Sequence, residues 1–410
     1  MLLCIVRSAL GELDLATRVA RSLPGRPRPP ARVLAIGKAA PAMVEGAVRR
    51  WGKSIEDILV ITTDGTSVRS LEHAVRQAGI EHCLRVARAA HPLADERSMH
   101  AADLAFELVS PDEPRTILVL ISGGASSLVC APIDGVTLAT KREIAAALLA
   151  SGADVRAINV VRKHLSRIKG GGLLRACTVD GVLTRIASDV VGGTPSDVGS
   201  GPTVPDDSSI EDARRILRRC APSFANVPLL ETMDPLWAAM NRPGDEARFV
   251  VRPEDLAHAV ARALRQEGIA ARTVAPSTAS AEKLSAYYIR RSHSLRPSSA
   301  IVRVAEPAIA VRRAGRGGRS THLAALVGRA LAPNTQFLAL ATDGVDGASG
   351  SAGAIVDATF AECAREIAPA LLDESLVRFD TGPLHHRLGT AIETNPTGHN
   401  LADLHVLVCM

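Results

Sequence analysis

The chain has 410 residues, 47% hydrophobic and 22% charged. That composition excludes disordered, collagen-like and small disulfide-framework proteins, and the length suits two domains of roughly 150–250 residues. Aromatic residues are only 2%, which disfavours the base-stacking platforms of single-strand nucleic-acid binders. The net charge of +5 arises from 48 basic and 43 acidic residues that interleave along the chain. No block of like charge forms a nucleic-acid or membrane arm, and the basic excess suits an anionic small molecule.

Short β-rich runs alternate with helical stretches. Strands are expected at 32–37, 57–62, 116–122, 183–191, 248–252, 308–312, 337–341 and 405–409, several of them continuous apolar runs of the kind buried on both faces of a sheet. Helical periodicity marks 39–51, 96–109, 141–151, 154–168, 210–220, 253–267, 321–331 and 352–367. Such alternation predicts an α/β fold of two domains, each with a largely parallel sheet flanked by helices. Four prolines between residues 221 and 245 place the boundary near residue 240, giving domains 1–240 and 241–410. The seven cysteines are widely spaced with no CxxC pair, as in a reducing, cytoplasmic setting. Residues 1–6 read as the start of a helix, without the basic region of a signal peptide. No run of about 18 apolar residues exists to span a membrane.

Ligands of open α/β sheets gather at the carboxyl ends of strands, so the glycine-containing turns there are the candidate sites. Gly37-Lys38-Ala39-Ala40 joins the first strand to a helix; the backbone can approach a ligand, and Lys38, one of only six lysines, adds a point charge. It lacks Walker A spacing. Ser122-Gly123-Gly124-Ala125-Ser126-Ser127 offers successive N–H groups as an anion nest. Arg162, Lys163 and Lys169 crowd the end of one helix before Gly170-Gly171-Gly172, a pattern that a dipole-matched surface also produces. Ser188-Asp189 ends a strand before Gly192-Gly193-Thr194-Pro195, where a carboxylate can serve as base or metal ligand. Gly315-Arg316-Gly317-Gly318-Arg319 suits a phosphate, and Asp343 and Asp346 in Thr342-Asp343-Gly344-Val345-Asp346-Gly347 resemble a divalent-metal loop without the EF-hand glutamate. Thr397-Gly398-His399-Asn400 reads as a turn. Together these anion nests, cations and acids fit phosphoryl transfer, which rests on positioning and charge neutralisation.

The segments IGKAAPAM from Ile36, HPLADE from His91, LVLISGGASSL from Leu118, SGADVRAINVVRKHLSRIKGGGL from Ser151, SDVVGGTPSDVGSGPTVPD from Ser188, GRGGR from Gly315 and TDGVDGASGSAGAIVD from Thr342 resemble, in this order, the glycerate 2-kinase family with a C-terminal MOFRL domain, some members of which carry the label hydroxypyruvate reductase. The resemblance spans nearly the whole chain. It implies a MOFRL region at about 300–410, an active site in the cleft between the domains, and ATP- and Mg2+-dependent phosphorylation of D-glycerate, usually to 2-phosphoglycerate. It also implies roles for residues. Lys38, Arg319 and Asp189 would be catalytic. Ser122, Gly123, Gly124, Ser126, Lys163, Lys169, Gly317 and Gly318 would contact the nucleotide, and Asp189, Asp343 and Asp346 the metal.

The chain departs from the family pattern at several points. Ser320, Thr321 and His322 follow Arg319 where the family reads NQE, and Gly192-Gly193-Thr194-Pro195 replaces GDDP. Ala94 replaces a proline, Val304-Ala305-Glu306 stands for a GGE-type segment, and His399 and Ala402 alter the TGTNxND ending. The expected partner is a small hydroxy acid in the cytoplasm, with neither nucleic acid nor membrane expected; a homodimer stays open. Two other readings remain. One is an NAD(P)-dependent hydroxypyruvate reductase, although GxGxxG is missing after the first strand. The other is a diverged, weakly active homologue that binds a nucleotide or sugar acid.

Overall fold

The computed structural model describes residues 2–179, 181–311, 315–394 and 400–410. The chain forms two compact units: one holds residues 15–188 and 193–251, the other residues 252–410 with 189–192 and the N-terminal segment. The division therefore falls after residue 251 and not near 240, because the strand that completes the first sheet runs from Glu246 to Val251. The first helix, Leu2–Gly11, packs on helix Pro253–Gln266 and so joins the second unit.

The first unit is built on strands β1 (Ala31–Ile36), β2 (Ile55–Thr63), β3 (Leu84–Ala89), β4 (Thr116–Ser122), β5 (Leu183–Ala187) and β6 (Glu246–Val251). Their order is β3-β2-β1-β4-β5-β6, and every neighbouring pair is parallel. β1 and β4 lie in the middle and are buried along almost their whole length, which is why they read as unbroken apolar runs. Val33, Ala35, Val60, Leu118 and Leu120 pack with Met43, Val44, Ala47 and Trp51 of helix Ala40–Trp51. Helix Glu96–Val109 starts where expected because Asp95 caps it, accepting from the Ser98 N–H at 3.1 Å while its own N–H donates to Ser98 Oγ at 3.0 Å.

The second unit carries β7 (Ala270–Thr273), β8 (Ser299–Ala305), β9 (Thr335–Ala341), β10 (Gly353–Asp357), β11 (Ala391–Ile392) and β12 (Asp403–Cys409), in the order β11-β10-β9-β12-β8-β7. Here the expected largely parallel sheet is not found: only β7 and β8 pair in parallel, and the other four pairings are antiparallel. Parallel pairing needs a long crossover, usually helical. β9 and β10 are joined instead by a helix-free loop, and β12 inserts antiparallel between β8 and β9. The helix expected at 352–367 is in fact β10 followed by the shorter helix Phe360–Ile367; alternating Ala354 and Val356 face the core while helical periodicity resumes only at Phe360. The strand expected at 308–312 reduces to one bridge between Ala308 and Ser280, with Arg312 outside the described residues, and the strand expected at 183–191 ends at Ala187. Tyr288, Leu323, Val327, Phe337 and Phe360 form the core of this unit. Among the described residues, no helix is long and apolar enough to cross a membrane.

Gly46 lies inside helix Ala40–Trp51, where alanine would ordinarily be better by about 1 kcal/mol. A Cβ there would lie 2.3 Å from the Ala16 carbonyl oxygen of helix Leu15–Ser22. We expect Gly46→Ala to destabilise the protein by roughly 1–3 kcal/mol, as overpacking does; urea unfolding that showed a gain would mean the two helices separate freely.

Candidate active site

Strand order reverses direction between β1 and β4, so the crevice at their carboxyl ends is the switch point where ligands of such sheets bind. The turns leaving both strands are tied together there. Gly37 has φ of +133°, and a Cβ on it would fall 2.1 Å from Ser122 Oγ; only glycine fits. The Lys38 N–H donates to the Gly123 carbonyl at 2.9 Å and the Ala39 N–H to Ser122 Oγ at 3.1 Å. Helix Ala40–Trp51 begins at this point with Pro41 in its first turn and no side-chain cap, leaving its positive end directed at the turn. The sequence-predicted Lys38, Ser122, Gly123, Gly124 and Ser126 thus share one locus. Beside them, burial and the Lys38 charge together hold the His91 imidazole below its usual range.

Lys169 joins this locus. The turn that carries it is clamped by backbone hydrogen bonds from Gly170 to Ser200 at 3.0 Å and from Gly171 to Gly201 at 2.7 Å. Its buried ammonium donates to the Ser126 carbonyl at 2.7 Å and also to Ser126 Oγ. Burial, then the nearby Lys141 and Arg162 charges, pull the Lys169 ammonium well below its usual range, and no carboxylate is among the groups acting on it. Lys163 goes elsewhere. Its Nζ donates to Asp206 at 2.6 Å and to Ser196 at 2.5 Å in a buried ion pair, an arrangement that holds the segment after β5 in place.

A second locus sits on the second unit. A cavity of about 330 Å3 is lined by Gly317, Gly318, Arg319, Asp343, Asp346, Asn400 and Asp403, among others. Arg319 lies 3.2 Å from Asp403 and 2.6 Å from Glu306; burial opposes its charge, and the two acids more than offset that. Asp346 is a helix cap: its two oxygens accept the Ser320 and Thr321 N–H groups at 2.9 and 2.8 Å, at the start of helix Arg319–Gly328. Gly318 has a packing reason, since a Cβ there would lie 2.2 Å from the Asp346 carboxyl carbon. The family-atypical Thr321 fills a buried network, accepting from the Gly318 N–H and from Thr381 Oγ1, each at 3.0 Å. Asp343 Oδ1 accepts the local N–H of Val345 at 3.0 Å and stays exposed. Asn400 donates to Asp189 Oδ2 at 3.1 Å. Residues 397–399 of the expected terminal turn lie outside the described residues.

Among the described residues, no group of three or more His, Cys, Asp or Glu is arranged to hold a metal. Mg2+ nonetheless needs only one or two carboxylates when phosphates complete its shell, and Asp343 is free enough to serve. Sequence reasoning missed Lys141, Asp403 and Glu306. Lys141 was hidden inside a helix, though the scarcity of lysine was a usable signal; Asp403 and Glu306 stood in segments read only for their departures from a pattern.

A two-unit α/β protein with a lysine-bearing glycine turn at a Rossmann-type switch point is the class that this fold and geometry define. The chain matches DUF4147, a domain of unknown function, over residues 2–228 and the MOFRL family over residues 299–403. It is 30% identical to the D-glycerate 2-kinase of Thermotoga maritima, covering 91% of this chain and 89% of that one. It is also 32% identical to an Agrobacterium vitis protein provisionally named hydroxypyruvate reductase, over 98% of this chain and 93% of that one. The crystal structure of a Thermotoga maritima glycerate kinase superposes with a TM-score of 0.83 at 26% identity, over 99% of this chain and 98% of that one. The chain belongs to the glycerate 2-kinase family.

Asp403 is almost fully buried, and burial pushes its carboxyl up to about 7 against the pull of Arg319. Unfolded, it titrates near about 3.9. Between these values the folded chain binds more protons, so this group lowers stability as pH rises. Asp403→Asn should therefore gain stability relative to wild type as urea unfolding is moved from about pH 5 to about pH 8; an unchanged difference across that range would show that the Arg319 pair balances the burial.

Proposed function

We propose that the protein is an ATP-dependent kinase that phosphorylates D-glycerate to 2-phosphoglycerate. The observation that carries this reading is the locus at the β1–β4 switch point, where Lys38, the Ser122–Ser127 turn and buried Lys169 offer positive charge and N–H groups to a polyphosphate. The kinase names of the relatives supply the acceptor. In this reading the C2 hydroxyl oxygen of glycerate bonds to the γ-phosphorus, the bond from that phosphorus to the β,γ-bridging oxygen breaks, ADP leaves, and the hydroxyl proton passes to a carboxylate. Asp189, oriented by Asn400, is our candidate for that acceptor. Lys38 and Arg319 stabilise charge that builds on the transferred group.

Mg2+, held through Asp343 and the phosphates, supplies charge neutralisation when bound. Asp346, Gly317 and Gly318 support Arg319: the carboxylate caps the helix that Arg319 opens, and the glycines permit the close packing. Lys163 acts through its ion pair with Asp206, fixing the chain near Ser196. Seven free thiols suit the reducing cytoplasm. A reductase is not favoured by the first βα turn, where Gly37-Lys38-Ala39-Ala40 has one glycine and a cation in place of a dinucleotide fingerprint.

A coupled assay for ADP release with ATP, Mg2+ and D-glycerate tests the reading, with hydroxypyruvate and NADH in parallel. We expect acceptor-dependent ADP release that chelation abolishes. Lys38→Ala and Arg319→Ala should each lose about 100-fold or more in kcat, the scale of a removed transition-state donor. NADH oxidation without ADP release would establish the reductase. Silence in both arms with retained ATP binding would establish the diverged homologue.

A further inference from the structure

Asp403 is a carboxylate in a place that stability alone does not explain. It is 2% exposed and opens β12, where it pairs with Ala305 of β8 and Ala341 of β9. Its Oδ2 lies 3.2 Å from Arg319 Nε yet accepts no aligned hydrogen bond. Asp346, Glu306 and Asp343 all act against its charge, while Arg319 favours it. A buried carboxylate so placed lowers the stability of the chain that carries it.

The backbone that delivers Asp403 is also held against its preference. Ala402 has φ of +61°, in the left-handed region where a residue with a Cβ is strained. Thr342 fixes that conformation. Its Oγ1 donates to the Ala402 carbonyl at 2.8 Å and accepts from the Leu401 N–H at 2.7 Å.

Arg319 is held at both ends. Its backbone opens helix Arg319–Gly328, which Asp346 caps. At the guanidinium, Nε lies against Asp403 and Nη1 donates to Glu306 Oε1 at 2.6 Å. Glu306 directly follows Ala305, the residue paired with Asp403, so the two acids leave adjoining positions of neighbouring strands. Neither engages Nη2. Because the guanidinium is planar, holding Nε and Nη1 also sets the direction of Nη2. Resting on the kinase reading, we propose that Asp403 is a positioning residue, which holds Arg319 through Nε so that Nη2 stays free for the transferred phosphoryl group. The buried charge and the strained residue before it are retained for the direction they give Arg319, not for stability.

The test is a double-mutant cycle between Asp403→Asn and Arg319→Ala, read by kcat, by KM for each substrate and by urea unfolding. Asp403→Asn keeps the shape of the side chain and removes its charge. It should lower kcat at least about tenfold, the scale of a small displacement of a catalytic group. KM for ATP and for D-glycerate should stay within about threefold, with cooperative unfolding retained. In the Arg319→Ala background the same substitution should change kcat by less than about twofold, since the group it acts through is gone. Thr342→Val removes the hydroxyl that fixes Ala402; it should also lower kcat, and should lose that effect without Arg319. Unchanged kcat in Asp403→Asn, or an equal loss in both backgrounds, overturns the proposal while the kinase reading stands. An Asp403→Asn chain that no longer folds would make the carboxylate a structural one and overturn it as well. Wild-type protein that releases no ADP overturns the kinase reading and the proposal with it.

Discussion

The absence of a side chain at Gly37 is the constraint on which the proposed anion site depends. Ser122 occupies the space that a Cβ would need, so the ends of β1 and β4 can close to contact distance. That approach lets the backbone after β1 donate into the turn after β4, and it fixes the start of helix Ala40–Trp51 beside the same turn. Lys38 follows immediately and inherits its position from this junction. Any residue larger than glycine would separate the strand ends and disperse the donors.

Charge is arranged around that junction against its own cost. Three of the six lysines, Lys38, Lys141 and Lys169, border the Gly124 turn or the cavity beside it. Lys169 and Lys141 push against one another in a region short of carboxylates. The second unit uses the opposite device. Arg319 is surrounded by Asp403, Glu306 and, through its helix, Asp346, so its guanidinium is oriented by acids while part of it stays exposed. One unit therefore gathers positive charge in a region short of carboxylates, and the other holds a single cation in a fixed direction beside the exposed Asp343.

Much of this was legible in the sequence, and the failures have physical causes. β4 was readable to the residue because a central parallel strand is apolar on both faces. Helix Glu96–Val109 was readable because Asp95 and Ser98 spell a capping box. β10 was misread as helix because Ala352, Ile355, Val356 and Phe360 keep a helical spacing through the same residues in which Ala354 and Val356 alternate, and the pairing with β9 that decides the matter is a tertiary event. The antiparallel second sheet depends on where β12, the last strand, inserts, and local pattern does not encode that. In the site, Lys38 and Ser122–Ser126 followed from their place at strand ends. Lys163 and Lys169 lie close in sequence with the same chemistry, yet one is paired to Asp206 and the other faces the Ser126 turn. Only the fold separates them. Asp346 looked like a metal ligand because a carboxylate in a glycine loop serves equally well as a helix cap.

The most direct test is a crystal structure with magnesium and a non-hydrolysable ATP analogue. The phosphates are expected against the Gly37–Lys38 and Ser122–Ser126 turns, with the Lys38 and Lys169 ammonium groups within hydrogen-bond distance of their oxygens. An analogue whose phosphates lie away from both turns, with Lys38 in contact with none of them, would contradict it.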